Sequence, residues 1–98
     1  MFPLSIVRVT GHSMEPSFVA GDYVIVSAIA YRLHAGDIVV LRHPVSKQLL
    51  IKRILRIVKN RYDVRGDHEM HSTDSRTFGL VGKEQIIGKV LKRIVYKK

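Results

Sequence analysis

The chain of 98 residues contains no cysteine and no tryptophan. The lack of cysteine excludes disulfides, thiolate metal ligands and a cysteine nucleophile, without fixing a compartment. Aromatic residues make up 7%, fewer than the base-stacking platforms of single-strand nucleic-acid binders usually need. There is no Pro-rich or low-complexity tract that would serve as a linker. No apolar run approaches the roughly 18–20 residues of a membrane-spanning helix; the richest, residues 23–31, is interrupted by Ser27. The first residues hold one Arg and a brief apolar stretch, which is not the pattern of a signal peptide. Acidic residues are scarce, 8 against 17 Lys plus Arg, giving a formal charge of +9.

What is present suits one globular domain spanning residues 1–98. Hydrophobic residues at 46% supply a modest core, and a charged fraction of 26% is ordinary for a folded domain. The basic surplus reads first as a solvated exterior. Residues 89–98, KVLKRIVYKK, alternate basic and apolar positions as a lysine-guarded edge strand would.

The dominant period is two. Residues 5–10 alternate, residues 23–27 and 38–41 are β-branched runs after Gly-Asp turns, residues 62–64 form a brief run, and residues 86–95 close the chain. Residues 49–58 (LLIKRILRIV) are the longest apolar run. Ile51, Ile54, Leu55 and Val58 also fit a helical template, but the Ile and Val content favours a strand. The pattern predicts an all-β fold of short antiparallel strands.

Three segments bear chemistry. Ser13 ends a strand beside Gly11, with Pro16 barring its continuation; such a hydroxyl is usually only a turn residue, yet here it could face a groove. Lys52 shares a strand face with Leu50 and Ile54. An edge lysine snorkelling to water is one reading. A desolvated amine with a lowered pKa, suited to general-base work near neutral pH, is the other. Residues 66–81 (GDHEMHSTDSRTFGLV) form a polar loop in which Asp74 and Arg76 could make a bidentate pair.

In this order the segments resemble the signal peptidase I type of serine protease with a Ser/Lys dyad. The likeness rests on GHSMEPSFVAGDYVIV, AGDIVVLRHP, LLIKRILRIV and GDHEMHSTDSRTFGLV, which span most of the chain. It implies Ser13 as nucleophile, Lys52 as general base and Ser72 as the hydroxyl that orients the amine. It implies the Ser13 backbone N–H as an oxyanion donor. Gly11 stands where many members carry a serine that supplies a second donor, and glycine has no hydroxyl to offer. Met14, Pro16, Asp74, Ser75 and Arg76 would support the site. No cofactor or metal is implied.

Within that family the chain is most similar to the maturation proteases of nickel-type superoxide dismutase. The similarity lies in its compactness, in Arg42-His43-Pro44 after GDIVVL, and in the expected lack of an N-terminal anchor; membrane signal peptidases also often carry a long insertion where this chain has thirteen residues between Lys52 and Gly66. The partner would be a protein with an N-terminal extension, bound extended along a sheet edge. The location would be cytoplasmic, or membrane-associated if the chain is the core of an anchored enzyme. The basic tail and N-terminal strand leave peripheral contact with anionic lipid open. General signal-peptide processing is the nearest alternative. A self-cleaving repressor would share the dyad but would act on a linker that is not evident. A basic nucleic-acid-binding β-domain accounts for the charge, but the paucity of aromatics argues against it, and no nucleic acid is expected.

The histidines do not form a zinc pattern: His68 and His71 are three apart. Both read as loop residues exposed to water, with His71, one residue before Ser72, a candidate to tune the base Lys52. His12 adjoins Ser13 and, as a strand neighbour, is expected to point to the opposite face.

Overall fold

The computed structural model describes residues 3–29, 32–68 and 73–94. Six strands follow one another: β1 (Leu4–Arg8), β2 (Tyr23–Ser27), β3 (Ile38–Arg42), β4 (Leu49–Val58), β5 (Arg61–Arg65) and β6 (Ile86–Ile94). A single helical turn, α1 (Ser75–Phe78), lies between β5 and β6, and a 3-10 turn at Lys83–Gln85 precedes β6. All strands join one antiparallel sheet in the order β1-β2-β6-β3-β4-β5. The all-β expectation holds, and residues 49–58 are a strand.

The basic C-terminal segment corrects the edge-strand expectation. β6 lies between β2 and β3. Its charges avoid burial because its C-terminal half is exposed on a sheet face, while Ile86 and Gly88 at the other end are buried. Gly88 is packed tightly: a Cβ there would stand 2.5 Å from Val26 Cγ1 and 2.6 Å from the Ser27 carbonyl oxygen.

Apolar residues gather into two cores. One holds Val39, Leu41, Ile54, Val64, Val81 and Ile86; the other holds Val9, Val24, Val26 and Val40. β3 thus feeds one core with Val39 and Leu41 and the other with Val40, which is why it reads as an unbroken apolar run. The β4–β5 connection is a two-residue turn in which Lys59 and Asn60 both have positive φ, 48° and 64°, the backbone a tight hairpin needs.

Two strand edges stay open among the described residues. β1 is paired only with β2. The N-terminal half of β4 pairs with β3, while its pairing with β5 begins only at Arg53. The outer edge of β5 is partly closed by Val81, which exchanges two backbone hydrogen bonds with Tyr62 at 2.8 and 2.9 Å.

Candidate active site

The two open edges flank a groove of about 440 Å³. Residues 7–14 form one wall and residues 48–52 the other, with Val40, His43, Ser46 and Thr73 completing it. Ser13 and Lys52 therefore face one cavity although they are distant in sequence.

Lys52 is 2% exposed, the largest fully buried side chain of the molecule's described residues. The strand alternation places it between Leu50 and Ile54, and the β3–β4 register sets it opposite Val39. Burial pushes its amine below the ordinary lysine range; nearby Asp74 opposes this and Arg76 adds to it. The snorkelling alternative is excluded for this residue.

Ser13 is half-buried, in a run of turns over residues 11–17. Its hydroxyl makes no hydrogen bond among the described residues, so it and the Lys52 amine share the groove without a direct bond between them. Its backbone N–H is likewise uncommitted there. Its carbonyl accepts from the His68 N–H at 2.7 Å. Gly11, with φ 76°, lines the same groove. Met14 is 2% exposed and its carbonyl accepts from the Phe18 N–H at 2.9 Å. Pro16 is exposed, after a cis peptide bond.

The Asp74–Arg76 pair expected from the sequence is present. Arg76 Nε and Nη2 donate to the two carboxylate oxygens at 3.0 and 2.7 Å. Fully buried Asp74 also accepts from the Gly66 N–H at 2.9 Å and caps α1 through the Arg76 N–H at 3.1 Å. Ser75 Oγ accepts from the Val64 N–H at 2.9 Å. The final loop is thus sewn to the end of β5, beside Lys52. Ser72 and His71 lie outside the described residues.

Sequence reasoning missed a clamp. Arg53 Nε and Nη2 donate to the Asp67 carboxylate at 2.9 and 2.8 Å, and Arg53 Nη1 donates to the Gly36 carbonyl at 3.0 Å. The Arg53 pairing holds the Asp67 carboxyl below its usual range, a Ser17 hydrogen bond adds to this, and burial opposes it. The residue after Lys52 therefore grips the loop whose next residue, His68, holds the Ser13 carbonyl. The adjoining Lys52-Arg53 and Gly66-Asp67 pairs were the available signal.

Two histidine expectations need correction. Residues 11–17 are turns rather than strand, so His12 lines the groove with Ser13, and its Nδ1 lies 2.6 Å from Glu15 Oε2. His68 is half-buried under the Ser13 segment, not exposed.

No curated protein matches the chain. The family model described as signal peptidase, peptidase S26, matches residues 1–57 and 55–95. Those spans take in both walls of the groove and nearly the whole sequence, and the chain belongs to the signal peptidase, peptidase S26, family.

Proposed function

We propose that the protein is a serine endopeptidase in which Ser13 is the nucleophile and Lys52 the general base. The observation that carries this reading is a buried lysine, its pKa lowered by burial, lining the same groove as Ser13. A serine hydroxyl is a weak nucleophile until a base takes its proton, and Ser-Lys pairs meet that need.

A peptide enters extended between the β1 and β4 edges, adding main-chain hydrogen bonds to both. Neutral Lys52 Nζ takes the Ser13 Oγ proton as Oγ bonds to the scissile carbonyl carbon. The Ser13 N–H donates to the oxyanion, and any second donor at Gly11 must be backbone or water. As the C–N bond breaks, the lysinium returns its proton to the leaving amine. Water, deprotonated by Lys52, then releases the acyl group and restores Ser13. Ser72 orients the amine. Asp74, Ser75 and Arg76 hold the segment that follows Ser72 in the sequence, and Met14 and Pro16 shape the Ser13 turn.

The substrate is a protein with an N-terminal leader, and maturation of a nickel-type superoxide dismutase is the favoured case. The tight β4–β5 hairpin and Arg42-His43-Pro44 support it. General signal-peptide processing is the second reading, supported by the family match itself. The test incubates the wild type, Ser13→Ala and Lys52→Met with a nickel superoxide dismutase precursor and, separately, with a secretory precursor, reading the new N-termini by mass spectrometry. Cleavage of one precursor that falls at least ~10³-fold in both folded variants is expected. Undiminished cleavage by either variant rejects the dyad.

A further inference from the structure

We infer that the groove selects peptides carrying a carboxylate side chain a few residues from the scissile bond, where Arg8 receives it. This rests on the endopeptidase reading of the same groove.

Arg8 ends β1, is exposed, and is the groove's lining arginine. Five described arginines, at positions 53, 56, 65, 76 and 93, are paired with carboxylates of the chain. Arg42 and Arg61 donate to carbonyls. Arg8 does neither among the described residues, and no Asp or Glu lines the groove with it. Glu15, on the same segment, is engaged by His12. The groove therefore presents the Arg8 charge without a carboxylate of the chain to match it. When Lys52 takes up the serine proton, a second positive charge arises nearby. A carboxylate on the peptide is drawn to both; an ammonium is repelled by both.

Four residues separate Arg8 from Ser13, and an extended peptide advances about 3.3 Å per residue. Because the chain turns between Arg8 and Ser13, the side chain that meets Arg8 lies within a few residues of the cleaved bond. Exposed ion pairs are individually weak, so an acidic residue there should raise kcat/KM about 2–5-fold over a neutral one, and a basic residue should lower it by a similar factor. Salt shrinks the difference, because screening acts over about 10 Å at 0.1 M.

The test digests a pool of short alanine-rich peptides in which each position carries Asp, Asn or Lys in turn, with the wild-type protein, Arg8→Gln and Arg8→Glu. The Asp-to-Lys cleavage ratio within each preparation is unaffected by any misfolded fraction. We expect a ratio near 10 at one position in the wild type at low salt, a ratio near one in Arg8→Gln, and an inverted ratio in Arg8→Glu. A wild-type ratio near one at every position, or a preference that survives Arg8→Glu, overturns the inference while leaving the endopeptidase intact. A pool left uncut by the wild type overturns both.

Discussion

Val39 and Lys52 stand opposite each other in the β3–β4 ladder, at 0% and 2% exposure. The buried lysine thus has a β-branched, fully buried residue at its paired position. The pH–rate profile should therefore show an ascending limb in kcat/KM whose midpoint lies below the ~10.4 of a solvated lysine. Val39→Thr, nearly the same shape but able to solvate the amine, should move that midpoint upward. Titration of kcat/KM in both proteins checks it; an unmoved midpoint would show that Val39 has no part in tuning Lys52.

Burying an amine has a thermodynamic cost that its removal should relieve. The folded pKa of Lys52 is lowered, so between that value and ~10.4 the unfolded chain binds the extra proton. Wild-type stability should consequently rise with pH across that interval. Lys52→Met, inactive, should lack this rise and melt higher than wild type at neutral pH, each kcal/mol gained giving about 4–8 °C. Thermal unfolding against pH in the two proteins makes the comparison. A lower melting temperature for Lys52→Met would mean that attraction to Asp74 outweighs desolvation.

The Arg53–Asp67 clamp should be visible in acid. Asp67 has a depressed folded pKa, so its stabilisation is fully present above the unfolded value of ~3.9 and is lost as pH falls through the folded one. Asp67→Asn should lose about 1–3 kcal/mol at neutral pH, with the deficit narrowing in acid. Because the clamp also positions the Ser13 segment, its kcat should fall further than its unfolding at the assay temperature explains. Denaturant melts at two pH values, paired with steady-state kinetics, test both halves.

Gly88→Ala should destabilise the sheet by about 1–3 kcal/mol, since the added methyl meets the fixed Ser27 carbonyl as well as Val26. Gly82→Ala is the comparison: the nearest atoms there belong to the side chain of exposed Glu84, which can swing aside, so its midpoint should stay close to wild type. Chemical denaturation of the two variants separates a close sheet crossing from a general intolerance of glycine replacement.

Strand positions were readable because burial on a pleated surface leaves a local, two-residue imprint. Val24, Val26 and Val39–Leu41 carry it, and Gly-Asp turns punctuate it. Strand order leaves no such imprint. The lysines of β6 suggested an edge, yet Gly88 lets that strand run close beside Val26 and Ser27 in the middle of the sheet. The burial of Lys52 could be posed from Leu50 and Ile54 but not decided, because the residues that flank it across the ladder, Val39 among them, arrive from another strand. The link from Arg53 through Asp67 to the Ser13 segment was hidden for the same reason: its members meet only after folding. His12 was misassigned because the period-two rule was carried past Arg8 into turns.

Under the proposed reading, the open edges of β1 and the first half of β4 bear on what the protein could attack. Backbone amides are the same in every polypeptide, so a slot that grips them cannot by itself tell one sequence from another. It can tell order from disorder: a segment already folded into its own helix or sheet has no free amides to offer and cannot be threaded in. On that reading tails and linkers would be vulnerable, and compact bodies spared before any side chain is consulted.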